Sequence, residues 1–395
     1  MWFTCQLVKL KILIFSFYHP PDLSAGSFRI GSLLKELSKY SSSIEIDVIT
    51  TKPNRYKTHD KSIIHEDYEI KFNIHRIDVP SHKSGILDQT KSFIYFLIKA
   101  IKISRNINPD IIFATSSRLM TAALAAYISR IKKVDLILDI RDIFSDSVRE
   151  IFNPFISYII YPIIKLIEKF TFQTASKINI VSNGFREHIM KIAPNSEIFV
   201  YPNGVDDLFL QHKNLSHNNK SFKNILYVGN IGEGQGLHKI LPQVSQELGD
   251  KIHFTIIGDG GRANLLKNII DKENIKNIKL IDAMPRSSLL KYYDQADILF
   301  LHLNDYDCYK KVLPSKIFEY ASLEKPIVAG VAGYAKNFLN DEVPWAQTFK
   351  PCSAIECIKA INNINNNNNN KIDSKSFKQK YKRSSIMEKF VISLF

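Results

Sequence analysis

A glycine-rich segment in the second half of the chain has the residue types of a phosphate-binding loop. Residues 229–236 hold four glycines, follow the apolar run 224–228 directly, and precede a helical pattern that begins at Leu237. Glycine allows the backbone to come close to a phosphate, and the N-terminus of the following helix offers N–H groups and a partial positive charge. The spacing is neither GxxxxGK[ST] nor GxGxxG, so an ATP site of the P-loop type is disfavoured. We predict a phosphate-binding loop, with a structural tight turn as the plainer alternative.

Two more segments of the same half could complete such a site. Residues 258–261 form a second glycine loop, after which Arg262 could reach a phosphate, although an ordinary turn explains this loop alone. Further on, Ser315 is a suitable helix N-cap, Lys316 would begin the helix, and Glu319 would lie one turn later. A carboxylate there can accept hydrogen bonds from both hydroxyls of a ribose, although a glutamate on a helix is more often simply solvated.

The first half offers fewer residues of this kind. Arg141 and Asp142 follow the strand-like run 136–140, and Asp142 could orient a substrate; a helix cap or an ion pair with Arg141 would explain it as well. His19 follows the first predicted strand, but a lone histidine in a loop is usually solvated. The spacing of His, Cys, Asp and Glu does not match a metal site, so we expect no metal.

These residues fall on a pattern of strands and helices that occurs twice. Short β-rich runs alternate with helical runs from residue 11 to residue 181, a polar stretch with turn signals follows, and the alternation restarts at residue 224. Strand–helix alternation predicts an α/β fold with parallel, doubly wound sheets, whose ligands bind beyond the carboxyl ends of the strands. We therefore predict two Rossmann-like domains that face each other across a cleft. They comprise residues 1–205 and 206–370, and residues 371–395 form a final helix that packs back on the first domain.

Length and composition agree with this organisation. The 395 residues are 45% hydrophobic and 23% charged, which excludes a disordered chain, a collagen-like fibre or a simple coiled coil. The net charge of +14 favours phosphate-rich partners such as a sugar nucleotide, an anionic lipid surface or a nucleic acid. We expect no nucleic-acid partner, because no basic stripe interleaved with aromatic residues accompanies the charge. The four cysteines form no CxxC pair, so we expect neither disulfides nor structural zinc, and a reducing cytosol is the simplest compartment.

Two apolar segments raise the question of a membrane. The uninterrupted run 12–17 is far shorter than a signal sequence or a membrane span, and we interpret it as a buried strand. Residues 151–172 are apolar and rich in Tyr and Phe, but Pro154 and Pro162 interrupt them and charged residues follow. Such a segment predicts an interfacial helix on an anionic membrane surface, with a buried helix as the alternative. The six asparagines 365–370 predict a polar loop.

Taken in order, segments of the second half resemble the C-terminal domain of retaining GT-B glycosyltransferases of family 4, or group 1. That resemblance rests on residues 229–236, 258–261, 314–320 and 325–330. The first half resembles one branch of these enzymes, the L-fucosamine transferases of bacterial O-antigen and capsule clusters. The segments that carry this second resemblance are residues 18–29, 47–56, 138–142 and 201–206. Together they extend over nearly the whole chain, from residue 11 to residue 394.

The resemblance implies a site for a nucleoside-diphosphate sugar in the second domain and an acceptor site in the first. Glu319 would hold the ribose, Met284 and its neighbours would meet the base, and Gly26 would lie beside the transferred sugar. The diphosphate would face the first glycine loop and the predicted helix start, which supply Gly229, Asn230, Gly232, Gly234, Gln235, Gly236, Ser315 and Lys316. Lys316, Arg29 and Asp142 are the candidate catalytic residues.

The chain departs from the family pattern at two places. The family usually has a glutamate eight residues before the ribose glutamate, and that position here is Lys311. The family also commonly has basic residues in the first phosphate loop, where this chain has Asn230 and Gln235. Other cations must then meet the diphosphate, and the candidates are Lys316, Arg29, Lys311 and Arg262. Asp305 or Asp307 could replace the missing glutamate.

The function implied by the resemblance is sugar transfer with retention of configuration. The donor would be a nucleoside-diphosphate sugar, with UDP as the expected nucleotide and N-acetyl-L-fucosamine as the sugar. The acceptor would be a polyprenyl-diphosphate-linked saccharide of O-antigen, capsule or exopolysaccharide assembly at the inner face of the cytoplasmic membrane. The nucleotide sugar is a co-substrate, and no other cofactor is expected. The alternatives are a sugar-nucleotide 2-epimerase on the same fold, a non-catalytic scaffold and a nucleic-acid-binding protein.

Overall fold

The computed structural model describes residues 9–22, 24–53, 71–80, 86–116, 118–151, 153–212, 223–366 and 372–395. The chain divides into two compact units, residues 1–202 with 384–395 and residues 203–383. The chain first passes from one unit to the other between Pro202 and Asn203, close to the predicted boundary at residue 205. The predicted loop of asparagines lies largely outside the described residues.

In the described part of the first unit, seven strands form one sheet in which every neighbouring pair is parallel. The strand order is β3-β2-β1-β4-β5-β6-β7. These strands are β1 (Leu10–Phe15), β2 (Ile44–Thr51), β3 (Asn73–Ile77), β4 (Ile111–Thr115), β5 (Asp135–Ile140), β6 (Lys177–Ile180) and β7 (Glu197–Val200). The helices are α1 (Ala25–Leu37), α2 (Ile86–Arg105), α3 (Leu119–Lys132), α4 (Phe144–Ile151), α5 (Pro154–Thr174) and α6 (Arg186–Ile192).

The second unit repeats this architecture with six strands among its described residues, again all parallel, in the order β10-β9-β8-β11-β12-β13. The strands are β8 (Lys223–Val228), β9 (Ile252–Ile257), β10 (Ile278–Ile281), β11 (Ile298–His302), β12 (Ile327–Gly330) and β13 (Ala346–Phe349). The helices are α7 (Asp207–Leu210), α8 (Leu237–Leu248), α9 (Ala263–Lys272), α10 (Arg286–Gln295), α11 (Lys316–Ser322), α12 (Gly333–Glu342), α13 (Ala354–Asn366) and α14 (Lys375–Lys380). The predicted pair of doubly wound α/β sheets is confirmed.

The central strands are buried on both faces. In β1 the consecutive residues Leu13, Ile14 and Phe15 are all inaccessible, and Leu299 and Phe300 of β11 are equally buried. Consecutive rather than alternating burial is typical of parallel strands covered by other elements on both sides. It explains why these strands appear in the sequence as continuous apolar runs.

Each sheet has one point where the winding direction changes. In the first sheet this point lies between β1 and β4, and in the second it lies between β8 and β11. Ligands of open parallel sheets bind beyond the carboxyl ends of the strands at such points. In the second unit the loops after β8 and β11 are therefore expected to form the site.

The end of the chain returns to the first unit through α15 (Arg383–Leu394). The ring of Phe390 lies 5.2 Å from that of Tyr201 and 6.1 Å from that of Phe113. In contrast, Phe377 of α14 packs against Phe318 in the second unit. The return to the first unit therefore begins at residue 384, later than the predicted boundary at residue 371, because α14 is held by aromatic contacts inside the second unit.

Within the described part of the chain, none of the helices is long and apolar enough to cross a bilayer.

Candidate functional site

The two glycine loops of the second unit support each other. Gly229 donates its N–H to the Ile257 carbonyl at 2.9 Å, and Ile231 donates to the Asp259 carbonyl at the same distance. A Cβ added at Gly258 would overlap the Gly229 carbonyl oxygen. One at Gly260 would lie 2.6 Å from the carbonyl oxygen of Ile231. The second loop thus needs glycine because the first loop lies directly on it, which is a packing role.

Inside the first loop, Asn230 and Gln235 close the turn. The Gln235 side-chain oxygen accepts from Asn230 Nδ2 at 2.8 Å and from the Gly232 N–H at 3.3 Å. A Cβ at Gly234 would overlap the Tyr309 hydroxyl, and Gly236 has a left-handed φ of +58°. The two residues that replace the family's basic side chains therefore hold the loop's shape.

A glutamate in this loop gathers the nearby cations. Glu233 accepts from Arg262 Nε at 2.6 Å, lies 3.2 Å from Lys239 Nζ, and accepts from the Tyr306 hydroxyl at 3.1 Å. Burial alone would raise the pKa of Glu233, but these partners outweigh burial and lower it. Arg262, predicted to meet a phosphate, is instead paired with Glu233. In the sequence, the only indication of this pairing is that Glu233 lies among the glycines of the loop.

His302, at the end of β11, holds the loop that follows the neighbouring strand β8. Its Nδ1 lies 2.6 Å from the Gln235 carbonyl and donates to it, while its Nε2 accepts from the Cys352 N–H at 2.9 Å. Burial lowers the pKa of His302 to about 4, so the ring is neutral and held in one tautomer near pH 7. His302 was not among the predicted site residues, because a histidine inside an apolar strand has no local signal.

The predicted ribose carboxylate, Glu319, lies in the first turn of α11 and is only 5% exposed. Lys316 Nζ donates to its Oε2 at 2.8 Å, and Arg286 Nη2 donates to its Oε1 at 2.6 Å. Tyr293, also buried, has its hydroxyl 3.5 Å from Oε2. The neighbouring Tyr320 hydroxyl lies 3.0 Å from the backbone N–H of Val228, directly before the first glycine loop. This bond holds α11, the helix that carries Glu319, against the end of β8 where the first glycine loop begins.

Opposite charges set the ionisation of Glu319. Burial would raise its pKa, but Lys316 and Arg286 reverse that effect and lower the pKa to about 2. The carboxylate is therefore charged at every physiological pH, and Oε1 keeps an acceptor position for a further hydrogen bond.

Two further residues extend this cluster. Asp206 forms ion pairs with both Arg286 and Arg383. Arg383 also donates to the carbonyls of Asn203 at 2.7 Å and Gly204 at 3.1 Å. A continuous series of charges thus runs from Lys316 to Arg383. Arg286 was not among the predicted site residues, because its partners are 80 and 33 residues away.

Ser315 and Met284 are placed less decisively. Ser315 occupies the predicted N-cap position directly before α11, but its backbone is helical (φ −60°, ψ −26°) and its side chain makes no capping hydrogen bond to the described residues. Met284 is half-buried after β10. Asp305 is exposed, and Asp307 pairs with Lys310 at 2.5 Å in the short helical turn Asp307–Lys311.

In the first unit, Arg29 is buried and fully engaged. Its guanidinium donates to both oxygens of Asp139, at 2.7 and 2.9 Å, and to the carbonyls of Tyr201 at 2.9 Å and Pro202 at 2.8 Å. Arg29 is 2% exposed and lies over the ring of Phe390. These contacts give Arg29 a structural role in place of the predicted catalytic one, because little of the guanidinium is left to meet a substrate.

The other two candidates of this unit lie at carboxyl ends of strands. Asp142 is exposed just after β5. Gly26 is buried in the first turn of α1, whose N-cap is Ser24; the Ser24 hydroxyl accepts from the Ser27 N–H at 3.1 Å. Among the described residues, no group of three or more His, Cys, Asp or Glu side chains is arranged to hold a metal ion.

Replacing Arg29 by methionine is expected to destabilise the first unit by about 3–5 kcal/mol, because Asp139 would remain buried without its cation. Urea unfolding would measure this loss, and Arg130→Met, at an exposed position of α3, is the control. Nucleotide affinity should be unchanged, since Arg29 belongs to the other unit. A fully stable Arg29→Met protein with lost turnover would restore the catalytic interpretation.

Comparison with known proteins identifies the second unit. Residues 210–383 match the family model described as glycosyl transferases group 1. The second unit is a glycosyltransferase domain. This makes the chain an enzyme of the glycosyltransferase class, as the sequence predicted. No curated protein matches the sequence significantly.

Solved structures show the same fold over nearly the whole chain of this glycosyltransferase. Anabaena HepE, in complex with UDP and glucose, is 12% identical, with a TM-score of 0.68 and 98% of this chain and 99% of HepE covered. WaaG, a glycosyltransferase involved in lipopolysaccharide biosynthesis, is 11% identical, with a TM-score of 0.66 and coverage of 96% and 98%. A candidate UDP-N-acetylglucosamine 2-epimerase of Listeria monocytogenes is 13% identical, with a TM-score of 0.60 and coverage of 98% and 96%. These likenesses establish the GT-B fold.

Proposed function

We propose that the second unit binds a UDP-sugar and that the enzyme transfers the sugar to a lipid-linked saccharide. The observation that carries the donor site is Glu319, a buried carboxylate that stays ionised. It lies on α11, whose Tyr320 accepts a hydrogen bond from the Val228 N–H directly before the first glycine loop. A carboxylate in this state suits a hydroxyl of a ribose, and the loop and the start of α8 suit a diphosphate. HepE, which has the same fold, is described with UDP bound, and this supports UDP as the nucleotide.

Thermal unfolding with UDP, GDP, ADP, TDP, CMP and NAD, each in separate samples, tests the donor. A ligand that binds only the folded protein raises the melting temperature by linkage, by an amount that depends on its concentration relative to Kd. We expect a clear increase with UDP and little with the others. An increase with a different nucleotide alone would refute UDP, and no increase with any of them would refute the donor site.

For the transfer itself we propose retention of configuration. The bond between C1 of the sugar and the diphosphate oxygen breaks, the acceptor oxygen bonds to C1 on the same face, and its proton passes to the departing diphosphate. Lys316 and backbone N–H groups of the glycine loop would stabilise the negative charge that develops there. This proposal, like N-acetyl-L-fucosamine as the sugar, is supported by the family resemblance. NMR of the product determines the anomeric configuration, and inversion would refute the mechanism.

We place the acceptor in O-antigen, capsule or exopolysaccharide assembly, as a saccharide on polyprenyl diphosphate at the cytoplasmic face of the membrane. The surface of α5 supports a membrane location. Tyr158 is 83% and Leu166 is 68% exposed, and both lie among exposed Phe, Ile and Lys residues of the same helix. The patch continues onto α3, where Arg130 bonds Thr174 of α5 and the neighbouring Ile131 is exposed. An apolar face rimmed by cations fits an anionic lipid surface.

We expect the protein to sediment with phosphatidylglycerol vesicles at low salt and much less with phosphatidylcholine vesicles. Leu166→Asp should weaken the binding severalfold, since it places a charge in the apolar contact. Ile355→Asp alters an equally exposed isoleucine of the second unit and should have no effect. Equal binding of Leu166→Asp and wild type would show that α5 is not the contact surface.

The 2-epimerase remains the second candidate, because a candidate epimerase of Listeria has the same fold. An epimerase needs no acceptor. Incubating the protein with the UDP-sugar alone and analysing the free nucleotide sugar separates the two reactions. Epimerised UDP-sugar would favour the epimerase, and an unchanged donor that reacts only when acceptor is added would favour transfer.

A further inference from the structure

We propose that Arg286 is a positioning residue that sets the geometry with which Glu319 receives the ribose. This inference rests on the proposed donor site and deepens it. Arg286 would not touch the nucleotide itself. It would act by holding one oxygen of the carboxylate in a single orientation.

Two cations share the carboxylate of Glu319. Lys316 and Arg286 each donate to a different oxygen of Glu319, at 2.8 and 2.6 Å. A carboxylate has about four acceptor positions. Lys316 and the Tyr293 hydroxyl both donate to Oε2, so the position left for a ribose hydroxyl is on Oε1, the oxygen that Arg286 holds. Which positions remain depends on where the cations hold the group.

Lys316 and Arg286 differ in how rigidly they hold the carboxylate. Lys316 is on the same helix as Glu319, one turn earlier, and 23% of its side chain is exposed. Arg286 comes from another element, the start of α10, and its guanidinium lies 5.1 Å from the ring centroid of Phe209. A planar guanidinium that bonds two carboxylates fixes the direction of both, whereas an ammonium on a flexible stem does not.

Arg286 has a second carboxylate partner, which fixes its own position. Asp206 pairs with Arg286 and is itself held by Arg383. The Val205 N–H donates to the Tyr381 carbonyl at 2.7 Å, and the Arg383 N–H donates to the Val205 carbonyl at 2.9 Å. Asp206 is therefore fixed by both its side chain and its backbone neighbours. The ribose carboxylate is thus positioned from the segment that opens the second unit.

The experiment measures recognition of the ribose rather than overall affinity. Isothermal titration gives Kd for UDP and for 2′-deoxy-UDP with wild type, Arg286→Gln, Arg286→Lys and Asp206→Asn. Wild type should prefer UDP by about tenfold, the effect of one hydrogen bond to a charged group. Arg286→Gln should reduce this preference to less than about twofold, and Asp206→Asn should reduce it in part. Lys378→Met breaks an unrelated ion pair with Glu324 and should leave the preference unchanged.

A purely structural Arg286 would weaken both ligands equally and keep their ratio. An unchanged ratio in folded Arg286→Gln would therefore overturn the positioning role. If Arg286→Gln does not fold, Arg286→Lys replaces it in the test. Lysine keeps the positive charge but cannot bond two carboxylates as a planar guanidinium does, and the ratio of the two Kd values is again the measured quantity. A wild type that binds no nucleotide would refute the proposed donor site together with this inference. A wild type that prefers UDP while all variants keep the preference would refute the inference alone.

Discussion

Replacing Gly258 by alanine is expected to abolish nucleotide binding and to destabilise the second unit by at least about 3 kcal/mol, the upper part of the usual range for overpacking. The added Cβ would overlap the Gly229 carbonyl oxygen, which is backbone and cannot rotate away as a side chain could. Relief requires the two glycine loops to separate. Separation would break the backbone hydrogen bonds between Gly229 and Ile257 and between Ile231 and Asp259.

Gly261→Ala is a matched control for this experiment. Gly261 lies three residues further along the same loop, and a Cβ there meets nothing within 4 Å. Urea unfolding and UDP titration measure the stability and the UDP affinity of both variants. They compare a methyl group added at a crowded position, Gly258, with one added at an open position, Gly261. Equal stability and equal UDP affinity of Gly258→Ala and Gly261→Ala would show that the first loop does not depend on the second.

Replacing Glu319 by glutamine is expected to lower nucleotide affinity by a factor of about ten or more, because the ribose would lose hydrogen bonds to a charged acceptor. It should also cost stability, since Lys316 and Arg286 would remain partly buried without their shared anion. From its pKa of about 2, against 4.5 when unshifted, the ionised form of Glu319 contributes about 3 kcal/mol to folding.

The pH dependence of this contribution has a definite sign. The pKa of Glu319 is lower in the folded protein than in the unfolded chain. The stabilisation is therefore fully present above pH 4.5 and is lost as pH falls toward 2. The difference in unfolding free energy between wild type and Glu319→Gln should stay constant from pH 5 to 8 and shrink below that range. Glu247→Gln, on the exposed face of α8, should show no such difference. A difference that varied between pH 6 and 8 would contradict the assignment.

Much of the fold was accessible from the sequence because it depends on local patterns. The runs around Leu13 and Phe300 are continuous and apolar, and that pattern is typical of parallel strands covered on both faces. The glycines of residues 229–236 and 258–261 were also recognisable from local sequence, because several glycines between a strand and a helix indicate a tight loop. The position of Glu319, one turn into its helix, also followed from local spacing.

The roles of individual charges could not be obtained in this way. Arg29 and Arg262 both looked available for a diphosphate, yet Asp139 pairs with the first and Glu233 with the second. A charged side chain has the same appearance in a sequence whether it faces solvent or a buried partner. Because its partner is chosen by tertiary packing, its role is too.

Hydrophobic period predicted two parallel α/β sheets and the loops that follow their strands, and the resemblance to a known family predicted a glycosyltransferase domain. The tertiary structure is needed to show that Arg286 bonds Glu319 and also reaches back to Asp206. These contacts join residues far apart in the chain. Their energies depend on distance and burial, which exist only once the second unit has folded.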